Sequence, residues 1–201
     1  MIHFSQAEFL MSCTKLSQMP ADTGNEIAFV GRSNAGKSST LNLITGRKKL
    51  AFTSKTPGRT QQINIFSITA EQRLIDLPGY GYAKVSKSMK LGWHYLINQY
   101  LRQRQSLRGL ILIVDCRHDL KATDRQVLEW ATGRHLPLLL LLNKADKLSR
   151  NQQFQQMRNF QQILAKEFDT NSHCQLFSTL SKLGLDSAKQ WAEEKLTSHF
   201  D

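Results

Sequence analysis

A glycine-rich stretch in the first quarter of the sequence has the residue types and spacing of a phosphate-binding loop. Residues 31–39 are Gly-Arg-Ser-Asn-Ala-Gly-Lys-Ser-Ser and match the pattern G-x-x-x-x-G-K-[ST]. Glycines allow a tight loop whose backbone N–H groups surround phosphate oxygens, the lysine can reach the β- and γ-phosphates, and the serine after it can bind Mg²⁺. We predict that a nucleotide contacts Gly31, Arg32, Ser33, Asn34, Ala35, Gly36, Lys37, Ser38 and Ser39.

A second polar group follows the apolar run 138–142 and consists of Asn143, Lys144, Ala145 and Asp146. A carboxylate at position 146 can accept hydrogen bonds from the ring N–H and the amino group of guanine, whereas adenine offers no such pair of donors. Lys144 can lie over the base, and Asn143 can tie this loop to the phosphate loop. The alternative is a loop that only ends a strand, but the order of the two motifs along the chain favours a guanine nucleotide.

A third motif, Asp76-Leu77-Pro78-Gly79, lies between the first two. An aspartate at the tip of a strand can hold Mg²⁺ through a water, and the Gly79 N–H can contact a γ-phosphate. Pro-Gly alone marks only a turn. The motif indicates a nucleotide site because it follows the glycine loop and precedes the Asn-Lys-Ala-Asp group. Upstream, residues 53–61 form a polar loop in which Thr53, Thr56 and Thr60 could each complete the Mg²⁺ coordination.

Alternating apolar runs and helical patterns predict the elements that position these motifs. We expect an α/β fold of three layers, in which a mostly parallel six-stranded sheet has helices on both faces. The strands are expected at 27–30, 63–68, 73–76, 109–115, 137–142 and 175–177, and the helices at 37–45, 87–105, 122–132, 151–168 and 185–197. The i, i+4 spacing of Leu91 and Tyr95 in the second helix indicates a core face.

The length of 201 residues suits one domain, which we place at residues 22–201. Residues 1–21 are expected as a lead-in, and the sequence leaves open whether residues 11–13 and Leu16 pack on the edge of the sheet. No apolar run approaches the ~20 residues of a membrane span, and the first residues lack a signal-peptide pattern. Three widely spaced cysteines form no C-x-x-C pair, so a reducing cytoplasm is expected.

The net charge of +11 favours a polyanionic partner. The basic residues form three clusters. Two lie close in sequence to the loops that would respond to the nucleotide: Arg47, Lys48, Lys49, Lys55 and Arg59 flank the first loop, and Lys84, Lys87 and Lys90 follow the second. The third cluster closes the next helix and consists of Arg102, Arg104 and Arg108. The alternative is a uniformly solvated basic surface. The clustering favours a basic face for a polyanion such as RNA.

Four segments occur in the order found in translation-factor GTPases: residues 31–39, the polar loop 53–61, residues 76–79 and residues 143–146. Their residue sequences resemble those of the EngB (YihA/YsxC) family of bacterial ribosome-assembly GTPases. The resemblance covers residues from about Asp22 onward. It implies a GTPase (Ras-like) fold and hydrolysis of GTP to GDP and phosphate with Mg²⁺. It also implies binding to the large ribosomal subunit or its precursor, and a role in septation and cell division. No membrane association and a monomer are expected.

The resemblance also assigns residues. It selects Thr60 as the threonine linked to Mg²⁺, so that Ser38, Thr60 and Asp76 are the expected metal residues and Lys37, Thr60 and Gly79 the catalytic ones. Further nucleotide contacts are implied for Gly58, Arg59, Thr60, Gln61 and Gln62, for Leu77 and Pro78, and for Phe177, Ser178 and Thr179. Thr179 stands where a second small residue is usual in the family.

Two positions bear on the rate of hydrolysis. Tyr80 stands where Ras-like proteins carry the glutamine that orients the attacking water, so slow intrinsic turnover is expected. Asn34 stands where potassium-stimulated relatives carry an asparagine that helps to hold K⁺, and the alternative is a simple turn residue. A nucleotide-gated RNA-binding module, in which hydrolysis only resets the state, is a second hypothesis. A small-molecule kinase is disfavoured because such enzymes lack N-K-x-D.

Overall fold

The computed structural model describes residues 2–51, 62–81, 87–168 and 172–198, and residues 87–90 by their backbone alone. Within these residues, seven strands form one sheet in the order β1-β3-β4-β2-β5-β6-β7. The strands are β1 (Glu8–Cys13), β2 (Asn25–Gly31), β3 (Ile63–Ser67), β4 (Gln72–Asp76), β5 (Leu107–Asp115), β6 (Leu138–Asn143) and β7 (Ser172–Leu176). The helices are α1 (Lys37–Thr45), α2 (Lys87–Gln103), α3 (Ala122–Thr132), α4 (Arg150–Glu167) and α5 (Leu185–Thr197).

The predicted α/β fold is confirmed, but the expectation of six strands was one short. Strand β1 pairs antiparallel with β3 at the edge of the sheet, with a bulge between Phe9 and Met11. Part of the expected lead-in therefore belongs to the sheet. The strand was missed because its residues are mixed in polarity and only partly covered, so they lack the continuous apolar run of the central strands.

The central strands are apolar over most of their length because helices cover both of their faces. Alternate residues of β2 enter two separate hydrophobic clusters: Ala28 and Val30 face α2, α3 and α4, whereas Ile27 and Phe29 face α1 and α5. The leucine run of β6 divides in the same way. Strands β4, β2, β5, β6 and β7 are parallel, so their carboxyl ends share one edge of the sheet.

Local signals in the sequence fix the ends of the helices. Helix α1 begins after Gly36 and ends at Gly46, both of which adopt positive φ. Helix α4 begins with a capping box, because Ser149 Oγ accepts from the Gln152 N–H while the Gln152 side chain accepts from the Ser149 N–H. Within the described residues, no helix combines the length and the apolar character that crossing a membrane requires.

One expectation for helix α2 is wrong. Trp93, Ile97 and Tyr100 are buried, but Leu91 and Tyr95 are 69% and 65% exposed. The i, i+4 spacing placed these two side chains on one face of the helix, and that face points away from the sheet.

A buried ion cluster holds the amino end of the sheet together. The Glu26 carboxylate at the start of β2 is fully buried and accepts from Arg73 Nε at 2.9 Å, from Arg104 Nη2 at 2.7 Å and from Tyr100 Oη at 3.1 Å. Arg104 also donates to the Pro20 carbonyl, which fixes the segment before β2. Arg104 was expected on a basic face for RNA. It is instead an internal residue at the amino ends of the parallel strands, at the opposite end of the sheet from the glycine loop.

Candidate functional site

The glycine loop connects the carboxyl end of β2 with the first turn of α1, as the motif requires. Gly36 has φ +103°, and a Cβ there would lie 2.2 Å from Asn143 Nδ2. Glycine is therefore required both by the backbone conformation and by the close approach of the neighbouring loop. The free N–H groups of the first helical turn face the space above this loop, where the helix dipole favours an anion.

Two hydrogen bonds join the loop after β6 to the glycine loop. Asn143 Nδ2 donates to the Ala35 carbonyl at 2.7 Å, and Lys144 Nζ donates to the Asn34 carbonyl at 2.8 Å. The expected tie by Asn143 is thus present in the structure. Asn34 and Lys144 both adopt left-handed φ, at 65° and 66°. These conformations turn the two loops toward each other.

Asp76 ends β4 beside the glycine loop and forms an ion pair with Lys37. Its second oxygen accepts from Asn64 Nδ2 at 3.3 Å. The loop that follows is anchored to the glycine loop by its backbone, since the Ser33 N–H donates to the Tyr80 carbonyl at 2.7 Å. The lysine of one predicted phosphate motif and the carboxylate of another are therefore in direct contact.

The side chain of Tyr80 points away from the site. It is buried, its hydroxyl donates to Asp124 Oδ1 at 2.5 Å, and its ring lies 4.7 Å from that of Trp93. Burial, with the adjacent Asp124 charge, holds the pKa of Tyr80 well above its usual value, so the hydroxyl stays protonated. Trp93 Nε1 in turn donates to the Pro78 carbonyl at 2.7 Å. Helices α2 and α3 thus both hold the loop that contains Gly79.

Asp146 lies in a short 3₁₀ turn after β6 and is held from the loop after β7. Ser178 Oγ donates to Asp146 Oδ1 at 2.6 Å. This hydrogen bond lowers the pKa of Asp146 below its ordinary value, so its carboxylate is charged at neutral pH. The backbone of Phe177 bonds Leu142 and Ala145, while its ring is fully buried in the core. Phe177 therefore supports the loop after β6, residues 143–146, from the core side. Any contact that Phe177 makes with a nucleotide is through its backbone.

The structure brings four of the predicted segments to one edge of the sheet. These are residues 31–39, 76–79, 143–146 and 177–179, which follow β2, β4, β6 and β7. Gln62 lies just before β3. Several residues that the sequence predicted for the site or the basic face lie outside the described residues: Thr53, Lys55, Thr56, Gly58, Arg59, Thr60, Gln61 and Lys84. The described residues contain no cluster of three or more His, Cys, Asp or Glu side chains suited to a metal.

Sequence reasoning missed one charged group of the site. Asp115 ends β5 and pairs in register with Asn143, the last residue of β6. Its carboxylate accepts from Lys144 Nζ at 2.8 Å and from Arg117 Nη2 at 2.7 Å. The only available signal was its place at the end of a buried parallel strand, where ligand sites of such sheets are found.

Comparison with known proteins identifies the family. Residues 26–144 match the family described as 50S ribosome-binding GTPase, and residues 93–197 match the elongation factor Tu GTP-binding domain. The "Probable GTP-binding protein EngB" of Coxiella burnetii strain CbuK_Q154 is 47% identical over 192 residues, which are 94% of this chain and 93% of that protein. The protein of the same name from Escherichia coli O139:H28 is 46% identical over 189 residues, and the match covers 94% of this chain and 90% of that protein.

Solved structures agree on the fold. A crystal structure of a probable GTP-binding protein engB superposes with a TM-score of 0.64 at 20% identity and covers 85% of this chain and 98% of that one. Era in complex with MgGDPNP and nucleotides of 16S ribosomal RNA superposes at 0.63 with 19% identity, covering 89% of this chain and 59% of that one. With this fold, these ordered loops and the identity to curated relatives, the chain belongs to the EngB family of GTP-binding proteins, P-loop GTPases that hydrolyse GTP.

Proposed function

We propose that this GTPase is a nucleotide-dependent factor in assembly of the large ribosomal subunit, and that it is needed for normal septation and cell division. The observation that carries the proposal is the description of the matching family, 50S ribosome-binding GTPase, in a chain of net charge +11. Ribosomal RNA is the polyanion that such a charge suits, because each neutralised phosphate releases counterions. A reducing cytoplasm is the proposed location.

Recognition of the nucleotide follows from the geometry of the four loops. Asp146 is charged and held by Ser178, so it can accept both donors of guanine. The backbone N–H groups of the glycine loop take the phosphates. Lys37 now pairs with Asp76, and we propose that it leaves this carboxylate to donate to the β- and γ-phosphates. The exchange suits a buried lysine because it trades one anionic partner for another.

The residues beside the phosphate loop fit a magnesium ion. The Ser38 hydroxyl and the Asp76 carboxylate are hard oxygen ligands of the kind that Mg²⁺ prefers, and Thr60 is proposed as the third residue. When bound, the ion would neutralise charge on the β- and γ-phosphates. Asp76 is 5% exposed and needs a cationic partner once Lys37 turns to the phosphates, which the ion would supply.

Hydrolysis needs a water in line with the γ-phosphate, and the described residues around Gly79 offer little to orient it. The water oxygen bonds to the γ-phosphorus, the bond between the γ-phosphorus and the β–γ bridging oxygen breaks, and that oxygen leaves with GDP as a negative charge. The proton of the water passes to the released phosphate or to solvent. The Gly79 N–H can contact the γ-phosphate, but the Tyr80 side chain is engaged with Asp124 in the core. We therefore propose slow intrinsic turnover that a partner accelerates.

Potassium is proposed as a second stimulating ion. Asn34 has φ 65° and is exposed, so it does serve as a turn residue. This role leaves its side chain available for K⁺. Turnover in KCl and NaCl of equal concentration tests the proposal: faster turnover in KCl that Asn34→Ala abolishes supports it, and equal rates contradict it.

Binding to ribosomal particles tests the assembly role. We expect cosedimentation with large-subunit precursors to be stronger with a GTP analogue than with GDP, and to weaken steeply with salt. Charge reversal at Lys84 and Lys87 should weaken this binding and leave the affinity for free GTP nearly intact. Charge reversal at Lys166 and Lys189, on α4 and α5, is the matched control. Equal binding in both nucleotide states with a flat salt response would remove RNA binding from the proposal.

A further inference from the structure

We propose that Asp115 is a positioning residue that holds Lys144 in place for the guanine base. The inference rests on the assignment of Lys144 to the base site. The four described segments of the site (residues 31–39, 76–79, 143–146 and 177–179) do not include Asp115, which lies on β5, the one parallel strand of this sheet that none of them follows.

The sheet itself delivers Asp115 to Lys144. Asp115 and Asn143 are register partners at the ends of β5 and β6, and the Cys116 N–H donates to the Asn143 carbonyl at 2.9 Å. This bond fixes the backbone on both sides of the pair. Lys144 then turns into left-handed φ, and its ammonium group returns over the strand ends to the Asp115 carboxylate.

The ammonium group of Lys144 has two partners of different strength. Asp115 Oδ2 and the Asn34 carbonyl each accept at 2.8 Å, but only Asp115 is charged. The ammonium group is charged in both bonds, but only the bond to Asp115 adds the Coulomb attraction of an opposite charge. The side chain of Asp115 is 14% exposed, so solvent screens the pair only in part. Asp115 therefore determines where the ammonium group lies, and with it the aliphatic stem that passes over the base.

Arg117 shares the same carboxylate from the solvent side. Its Nε donates to Asp115 Oδ1 at 2.9 Å and its Nη2 to Oδ2 at 2.7 Å, and its side chain is 42% exposed. Burial would raise the pKa of Asp115, but the hydrogen bonds from Arg117 and Lys144 hold that pKa far below its ordinary range. The carboxylate is thus charged at every pH at which the protein would be assayed. An exposed pair two residues apart contributes little by itself, so Arg117 serves as the control.

The test is a double-mutant cycle on GDP dissociation. Asp115→Asn keeps the size of the side chain but removes its charge, and we expect GDP to dissociate about tenfold faster, because the Lys144 ammonium group loses its charged partner. The kcat for GTP should stay within about twofold, because Asp115 touches none of the residues assigned to the γ-phosphate. Arg117→Ala should change neither quantity by more than about twofold.

The cycle is completed in a Lys144→Ala background, where Asp115→Asn should have no further effect. Additive effects of the two substitutions, or an unchanged dissociation rate in Asp115→Asn, would overturn the inference while leaving the base site intact. An unchanged rate in Lys144→Ala would instead refute the assignment of Lys144, and the inference with it. Asp115→Ser, a smaller polar side chain, repeats the measurement if Asp115→Asn does not fold.

Discussion

Asp146 is positioned by a residue more than thirty positions away in the sequence. Ser178 Oγ donates to one of its oxygens at 2.6 Å, while Lys147 Nζ lies 3.6 Å from the other. The pair of loops thus presents a charged carboxylate with a fixed orientation. Because a carboxylate accepts hydrogen bonds and an amide group also donates them, base choice should depend on this single side chain.

Asp146→Asn should reduce the affinity for GTP by about 10- to 100-fold, because each hydrogen bond to a charged group is worth roughly 1.5–3 kcal/mol. The affinity for XTP should rise, since xanthine carries a carbonyl where guanine carries the amino group. Competition between the two nucleotides measures both changes. Ser178→Ala is the control: it keeps the carboxylate, so a smaller loss with unchanged preference for GTP is expected. A variant at 146 that still prefers GTP over XTP would contradict the assignment.

The pH dependence of base recognition follows from the same hydrogen bond. The pKa of Asp146 is lowered, so its charged form is present at any pH above the ordinary aspartate value of about 3.9. It is lost only as the pH falls through the lower value of the folded protein. We therefore expect the preference for GTP over ATP, two nucleotides whose bases do not titrate in this range, to be flat between about pH 5 and 8. A decline of that preference within this range would show that another group controls it.

At the scale of an element, β2 joins two different environments. Its carboxyl end leads into the glycine loop, whereas its first residues carry the buried carboxylate of Glu26 between Arg73 and Arg104. The cluster connects β2 with β4, with the end of α2 and with the segment before β2. It therefore fixes the strand on which the phosphate loop is built.

Glu26→Gln should lower the free energy of unfolding by about 3–5 kcal/mol, because the substitution removes the buried anion that Arg73 and Arg104 share. Arg104 then keeps only the half-exposed carboxylate of Asp22, which lies 3.4 Å from its Nε. Urea denaturation of the nucleotide-free protein measures the loss. The exposed Glu71, which lies next to β4, supplies the control, and Glu71→Gln should stay within about 0.5 kcal/mol of the wild type. A loss of less than about 1 kcal/mol in Glu26→Gln would mean that the arginines find other partners.

At the scale of the whole molecule, the site exists only when the sheet is complete. Its four described loops follow four different strands and span residues 31 to 179. The folded protein therefore binds the nucleotide and the unfolded chain does not. Binding and folding are linked, so the ligand must raise the stability of the whole domain.

GDP at about 1,000 times its Kd should stabilise the protein by about 4 kcal/mol, which corresponds to a rise in Tm of roughly 8–16 °C for a domain of this size. Differential scanning calorimetry with and without GDP measures the shift. Lys37→Ala should lose most of it, because this residue is assigned to the phosphates. ADP at the same concentration is the control for base choice; an equal shift with ADP would contradict the guanine site.

Much of this protein could be predicted from its sequence because the signals are local. The central strands are mostly apolar and buried on both faces. Helices α1 and α4 begin at a glycine and a capping box, and each predicted helix or strand lies within a few residues of the observed one. Three motifs of the site, at residues 31–39, 76–79 and 143–146, were predictable for the same reason. Each is a short segment in which adjacent residues carry the chemistry.

The parts that the sequence could not reveal depend on partners that are distant along the chain. β1 forms only because β3 offers it an edge, and Arg104 is internal because Glu26 lies beneath it. The exposure of Tyr95 reflects where α2 docks, and the role of Asp115 arises from its register with Asn143. Spacing gives the faces of an element, but only tertiary packing decides what each face meets.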